Sequence, residues 1–148
     1  MKEKYIICDV ARSNWGKSQT LLKVIDMLKA IVKPTVEELI GDCDKYAVFE
    51  FNGKRIVVST QGDPDSYQEE GLNRAVAQNA DVIVCASRTK GSTLDTVYEI
   101  AKNGYQVVRF SNFFAEEKDL PCVSCLPEIS AGSIVEFIQR SLYWPPHR

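Results

Sequence analysis

A Gly-Lys-Ser turn near the N-terminus carries the residues best suited to chemistry. Residues 11–18 read Ala-Arg-Ser-Asn-Trp-Gly-Lys-Ser, which fits the phosphate-binding pattern G-x-x-x-x-G-K-[ST] except that Ala11 replaces the first glycine. An apolar strand is predicted before this stretch and a helix after it, so backbone N–H groups and the positive end of the helix dipole can surround a phosphate. The predicted phosphate-binding residues are Ala11, Ser13, Asn14, Trp15, Gly16, Lys17, Ser18 and Gln19.

Two of these side chains, and one acidic residue further along, are predicted to act on the bound ligand. Lys17 is expected to reach the β- and γ-phosphates, and the Ser18 hydroxyl is expected to hold Mg²⁺. An acidic residue at the end of a neighbouring strand must also fix Mg²⁺ beside the γ-phosphate, and Asp63, after the third predicted strand, is the nearest candidate. The alternative is that Asp63 only shapes a turn before Pro64. We therefore predict Lys17 and Asp63 as catalytic residues, and Ser18 and Asp63 as metal ligands.

The loop resembles that of the P-loop NTPase superfamily, especially that of small bacterial GTP-binding proteins, and the order of elements is similar to a compact GTPase domain. This resemblance implies a nucleoside triphosphate or diphosphate with Mg²⁺ at the C-terminal ends of parallel strands. Two departures weaken the likeness to GTPases. Residues 59–62, Ser-Thr-Gln-Gly, stand where Asp-x-x-Gly is expected, and residues 89–92, Thr-Lys-Gly-Ser, lack the aspartate that reads guanine. ATP is therefore expected to bind at least as well as GTP.

Other residues near the predicted site have two interpretations each. Arg88 and Lys90 follow the fourth predicted strand and could meet phosphates, or could belong to a solvated loop. Asp9 ends the first strand and is either a second acid of the site or a polar residue apart from it. Trp15 could contact a base, a ribose or a partner, or could pack on neighbouring loops.

Composition excludes several other classes of protein. The chain has 148 residues and a net charge of −2, so binding to a nucleic acid backbone is not expected. No apolar run reaches the roughly 18 residues of a membrane span, and five cysteines, an odd number, favour a reduced, cytoplasmic compartment. Cys122 and Cys125 form a lone C-x-x-C, which we interpret as incidental thiols, and His147 lies in the C-terminal tail, away from any nucleophile.

The elements that position these residues alternate between strand and helix patterns. Residues 35–44 fit either a short helical turn or a loop. The Asn52-Gly53 pair predicts a hairpin between the second and third strands. Capping boxes at Ser66 and Ser133 predict the starts of the second and fourth helices. The remaining predicted elements are a strand at 5–10, a helix at 18–32, strands at 45–51, 54–60, 81–86 and 105–110, and a third helix capped by Ser92 or Thr93 and ended by Gly104.

This pattern predicts an α/β protein, a three-layer α/β/α sandwich formed by a single domain over residues 1–148. Its sheet is expected to be mostly parallel and five-stranded with one antiparallel hairpin strand, and the resemblance adds the P-loop NTPase fold. The predicted function is binding of a nucleoside triphosphate, ATP favoured, with Mg²⁺-dependent hydrolysis or phosphoryl transfer. The alternative is a slow or non-catalytic switch, in which residues 35–44 and 61–67 expose or hide a surface for an unidentified protein partner.

Overall fold

Six strands and four helices make up the computed structural model, which describes residues 3–12, 15–41, 43–62, 67–117 and 123–142. The strands are β1 (Tyr5–Val10), β2 (Val36–Ile40), β3 (Asp44–Phe51), β4 (Lys54–Ser59), β5 (Val82–Ser87) and β6 (Gln106–Phe110). The helices are α1 (Lys17–Lys29), α2 (Gln68–Ala77), α3 (Ser92–Ala101) and α4 (Leu126–Leu142), the last preceded by a 3₁₀ turn (Val123–Cys125). The predicted α/β class is confirmed.

The strands form one sheet in the order β2-β3-β4-β5-β1-β6. Parallel pairing joins β4 to β5, β5 to β1 and β1 to β6, whereas β2, β3 and β4 pair antiparallel. The predicted hairpin at Asn52-Gly53 is confirmed, since β3 and β4 are antiparallel neighbours and both turn residues have positive φ. The strands β1 and β5 are apolar on both faces because helices cover both sides of the sheet.

Two hydrophobic cores, one on each face of the sheet, fix the helices. The helices α1 and α4 pack on one face and on each other, where Leu21 and Ile25 meet Ile134 and Ile138. The other face carries α2 and α3, whose Leu72 belongs with Cys8 and Ile83 to the second core. The chain therefore forms helix, sheet and helix layers, as the strand and helix alternation predicted.

The strand β2 corrects the prediction that residues 35–44 form a helical turn or a loop, and it raises the number of strands from five to six. Because β2 is an edge strand with three exposed central residues, it has almost no apolar periodicity to reveal it. Its acidic side chains are held by cations from neighbouring elements instead. Glu37 pairs with Lys45 at 3.0 Å, and Glu38 pairs with Arg74 at 2.7 Å.

The start of α4 also differs from the sequence prediction. A capping box at Ser133 was expected, but α4 begins at Leu126, and Pro127 occupies its first turn, where the missing N–H costs nothing. Ser133 lies inside the helix and its hydroxyl donates to the Ile129 carbonyl. The longer helix brings its N-terminus towards the loop before α1.

Neither Ser92 nor Thr93 caps α3, contrary to the prediction. The residue before α3 is Gly91, with φ of +95°, and no side chain caps the helix. The Thr93 hydroxyl instead accepts a hydrogen bond from the Arg88 N–H at 3.0 Å, which holds the loop after β5 on α3. The predicted cap of α2, Ser66, lies outside the described residues. Gly104 has φ of +97° after α3, as predicted for a residue that ends a helix.

The chain leaves β4 in close contact with β5. A Cβ atom on Gly62 would lie 2.7 Å from the Cβ and 3.1 Å from the carbonyl carbon of Ala86. Ala86 in turn is paired with Asp9 on β1. Only glycine allows this approach, which places Gly62 directly against β5.

We expect Gly62→Ala to lower the free energy of unfolding by about 1 to 3 kcal/mol, because the added methyl group must displace the Ala86 backbone. The matched control is Gly132→Ala, inside α4, where an added Cβ meets nothing within 4 Å. That variant should be neutral or more stable by up to about 1 kcal/mol, since alanine favours helix. Urea denaturation of both variants measures the difference. Equal stabilities would show that Gly62 is not required for its close contact.

Candidate phosphate-binding site

The loop between β1 and α1 lies where the chain diverges from the sheet in two directions. β1 continues into α1 on one face, whereas its neighbour β5 continues into α3 on the other face. Such a switch point opens a crevice at the C-terminal ends of the strands, the usual position of a ligand in an open α/β sheet. The Ala11 N–H donates to the Ser87 carbonyl at 3.1 Å, which joins the two diverging segments at the base of the crevice.

The predicted succession of strand, loop and helix is confirmed at residues 5–29. The helix α1 begins at Lys17, and Gly16 before it has φ of +86°, a conformation that other residues adopt only under strain. A Cβ on Gly16 would also lie 3.3 Å from the Asn112 amide nitrogen. Gly16 is thus required at the turn that places the first N–H groups of α1 at the crevice. Ser13 and Asn14 lie outside the described residues.

The Lys17 side chain folds back over the loop. It is buried, and its ammonium donates to the Ala11 carbonyl at 2.7 Å and to the Arg12 carbonyl at 3.0 Å. The positive charge therefore lies at the end of β1, beside the start of the helix. An anion at this position would compete with neutral carbonyl groups for the ammonium, and a charged acceptor forms the stronger hydrogen bond.

A groove of about 710 Å³ runs from the start of α1 between α1 and the segment after β6. Gly16, Lys17, Ser18 and Gln19 line its polar end, and Phe114 belongs to its apolar wall. Ser18 is half-buried and Gln19 is exposed. This volume is typical of small-molecule sites, which combine apolar walls with a few polar groups.

Trp15 packs against a neighbouring loop, the second of its two predicted interpretations. Its ring stacks on Phe114 with centroids 4.6 Å apart and planes inclined by 16°. The Arg12 guanidinium lies 5.4 Å from the centre of the Trp15 ring. Trp15 nevertheless lines the groove, so ligand contact by its ring edge stays a prediction.

Asp9 and Asn112 form a buried polar pair behind the loop. The Asn112 backbone N–H donates to Asp9 Oδ1 at 3.1 Å, and its side-chain amide donates to the Trp15 carbonyl at 2.7 Å. Burial raises the pKa of the Asp9 carboxyl to about 6, although the hydrogen bond from Asn112 and the charge of Lys17 oppose the rise. The sequence suggested Asp9 as a second acid near the site, and the structure brings it beside Lys17.

Sequence reasoning missed Asn112, which lies about a hundred positions from the loop that it contacts. Only the parallel pairing of β1 with β6 brings it there, because Asp9 is the partner of Phe110, two residues before Asn112. One signal was present in the sequence. A polar residue directly after a parallel strand lies at the same edge of the sheet as the other strand ends.

The acidic residue required beside the loop was expected at the end of a neighbouring strand, and the sheet order corrects that expectation. β5 lies between β1 and β4, so β4 is two strand spacings, about 9.5 Å, from β1. The contact of Gly62 with Ala86 carries the chain back across part of this distance. Asp63, the next residue, lies outside the described residues, and its role as a metal ligand stays a prediction.

The cations after β5 lie on the other side of the crevice. Arg88 is half-buried and its backbone is fixed to Thr93, whereas Lys90 is exposed. Both follow Ser87, whose carbonyl binds the loop at Ala11. Arg88 therefore directly follows a residue that contacts the loop, and phosphate contacts by the Arg88 and Lys90 side chains stay predictions.

The described residues offer no other chemical centre of the kinds that the sequence raised. They contain no group of three or more His, Cys, Asp or Glu residues that could hold a metal ion. Cys125 is a free thiol, and its C-x-x-C partner Cys122 and the tail residue His147 lie outside the described ranges. No helix in the described part of the chain is both long and apolar enough to cross a membrane.

No protein-family model matches this chain, and no curated protein sequence matches it at a significant level. The functional interpretation therefore depends on the sequence of the loop and on the geometry around it.

We expect the buried Asp9 carboxyl to make stability depend on pH. Its folded pKa lies above the ordinary 3.8, so the folded state holds the proton more tightly, and the resulting stabilisation is lost as the pH rises through about 6. Between about pH 4.5 and pH 7.5 the free energy of unfolding of the wild type should fall by about 2 kcal/mol relative to Asp9→Asn. Urea titrations at both pH values measure this difference.

The exposed Asp95 on α3 provides the control for this measurement. Asp95→Asn removes the same charge without removing a buried carboxyl, so its stability should follow that of the wild type at both pH values. Parallel curves for Asp9→Asn and the wild type would contradict the buried, raised carboxyl.

Proposed function

We propose that the protein binds a nucleoside triphosphate with Mg²⁺ at the loop between β1 and α1, and that it hydrolyses the nucleotide or transfers its γ-phosphoryl group. The observation that carries this proposal is the position of Lys17. Its ammonium lies at the first turn of α1, behind the left-handed Gly16 and at the switch point of the sheet. A lysine charge and the N-terminus of a helix at one point favour phosphate over other ligands.

Phosphate binding would replace the present hydrogen-bond acceptors of the Lys17 ammonium with phosphate oxygens. The ammonium would leave the Ala11 and Arg12 carbonyls for phosphate oxygens while the amides of residues 14–18 surround the β-phosphate. The Ser18 hydroxyl, half-buried at the start of α1, would hold Mg²⁺ together with Asp63. Catalysis would then consist of positioning and charge neutralisation.

ATP is the favoured nucleotide, with GTP as the alternative. The loop after β5 has no carboxylate at Ser92, where a guanine-reading aspartate would stand. The apolar wall of the groove, with Phe114 and Leu126, offers surface for a base.

A binding module without turnover is the second reading of the same site. The end of β4 supports it, because Ser59, Thr60 and Gln61 carry no carboxylate. Within the segment at 35–44, to which this alternative assigns a partner surface, residues Val36–Ile40 form the edge strand β2, whose Glu37 and Glu38 make ion pairs. Any nucleotide-dependent partner surface would therefore lie nearer residues 61–67.

Lys17→Ala should weaken ATP binding by about 1.5 to 3 kcal/mol, because the variant loses a charge-assisted hydrogen bond to phosphate. Calorimetric titration with Mg²⁺-ATP and Mg²⁺-GTP measures the loss and the base preference together. Lys33→Ala is the matched control, since Lys33 is an exposed lysine beyond the opposite end of α1. Equal affinities of Lys17→Ala and the wild type would remove the loop from the ligand site.

Asp63→Asn separates the enzyme from the binding module. If the Asp63 carboxylate holds Mg²⁺, the variant should keep most of its ATP affinity and lose most of its phosphate release. Asp65→Asn, two residues along, is the control and should retain both properties. Phosphate release and affinity are measured in parallel. An Asp63 variant equal to the wild type in both would discard this residue, and a wild type that binds without turnover would favour the module.

A further inference from the structure

Two buried oxygen atoms behind the loop accept no hydrogen bond from any described residue. They are Asp9 Oδ2 and Asn112 Oδ1. Their residues are already joined, since the Asn112 N–H donates to the other oxygen of Asp9. Asp9 is fully buried and Asn112 is 6% exposed. Leaving a buried acceptor without a donor is costly, so a proton added to Asp9 Oδ2 would remove the cost at that atom.

Asn112 connects Asp9 to the loop through hydrogen bonds. Its side-chain amide donates to the Trp15 carbonyl at 2.7 Å and to the Phe113 carbonyl at 3.1 Å. The Phe113 N–H in turn donates to the Ser130 hydroxyl on α4 at 2.9 Å. The end of β1, the turn before α1, the segment after β6 and α4 are therefore connected through one buried amide.

The positive charge that stabilises the Asp9 carboxylate is the Lys17 ammonium, which is also the group that a bound phosphate would attract. Lys17 on α1 stabilises the Asp9 carboxylate. The thiols of Cys8, on β1, and Cys85, on β5, also lie within reach of its charge, and β6 brings Arg109 beside Cys8. Phosphate at the loop would neutralise the Lys17 charge and add negative charge near Asp9. Both changes disfavour a buried carboxylate.

We propose that Asp9 is a positioning residue of the loop that takes up one proton when a nucleotide phosphate binds, and that the protonated carboxyl then donates to Asn112 Oδ1. The proton comes from solvent and ends on Asp9 Oδ2, so no other bond is formed or broken. The new hydrogen bond satisfies both buried oxygens and keeps Asn112 on the Trp15 carbonyl while Lys17 turns to the ligand. This inference rests on the proposed nucleotide site.

The experiment is calorimetric titration of the wild type and of Asp9→Asn with Mg²⁺-ATP near pH 7, in two buffers of different ionisation enthalpy. In the protein without nucleotide the pKa of the Asp9 carboxyl is about 6, and added negative charge nearby raises a carboxyl pKa by about one to three units. The wild type should take up about 0.4 to 0.9 proton per ATP more than the variant. Protons exchanged by ATP itself are the same for both proteins and cancel in the comparison.

The pH profile of affinity gives a second readout that a purely structural role of Asp9 would not change. Wild-type affinity should fall as the pH rises from about 6 to 8, more steeply than that of Asp9→Asn. The exposed Asp95→Asn variant should behave as the wild type. Binding with equal proton uptake in Asp9→Asn and the wild type would overturn this inference alone, whereas a wild type that binds no nucleotide would overturn the proposed function as well.

Should Asp9→Asn fail to fold, the ¹³C resonance of the Asp9 carboxyl in the wild-type protein gives the same answer. Its titration midpoint should rise by at least one pH unit when Mg²⁺-ATP is added. A midpoint that stays fixed or falls, with ATP shown to be bound, would contradict the proton uptake.

Discussion

The parallel pairing of β1 between β5 and β6 is the constraint on which the candidate site depends. It places the loop after β1 beside Ser87 on one side and beside Asn112 on the other. The helices that follow β1 and β5 lie on opposite faces, so these strand ends diverge and leave a crevice. The two hydrophobic cores keep these helices on opposite faces, because each apolar face of the central strands is covered by its own pair of helices.

Electrostatics at the end of β1 follow from the same packing. A carboxyl, a lysine and an amide side chain converge in a part of the molecule that is almost entirely buried. Asp9 tolerates burial because Asn112 and Lys17 stabilise it. The Lys17 ammonium in turn donates to the Ala11 and Arg12 carbonyls of the loop. A site of this kind responds strongly to added negative charge, since interactions in its low dielectric are weakly screened.

Much of this arrangement could be predicted from local sequence. The strand Tyr5–Val10 and the hairpin at Asn52-Gly53 carry strong short-range signals, and the structure has both. The loop before α1 has a spacing whose turn geometry needs glycine at position 16, which the structure also shows. Helix starts were less predictable, since Ser133 opens a capping-box sequence but lies inside a helix that begins at Leu126.

The features that local sequence could not give are those that depend on which strands become neighbours. β2 is stabilised at an edge by ion pairs of Glu37 and Glu38, which leave no apolar pattern. The position of β5 between β1 and β4 is set by crossover connections rather than by any residue of the strands themselves. Asn112 reaches the site only because β6 pairs with β1. The local sequence after β6 therefore does not identify it as part of the site.

The central claim is that the start of α1 binds phosphate, and amide chemical shifts test it at single residues. In a ¹⁵N–¹H titration with Mg²⁺-ATP, the largest saturable shifts should occur at Trp15, Gly16, Lys17 and Ser18, with a second group at Asn112 and Phe113. Those positions join the crevice to the groove. Saturable shifts confined to another surface, or no shifts at millimolar ATP, would contradict a phosphate site at this loop.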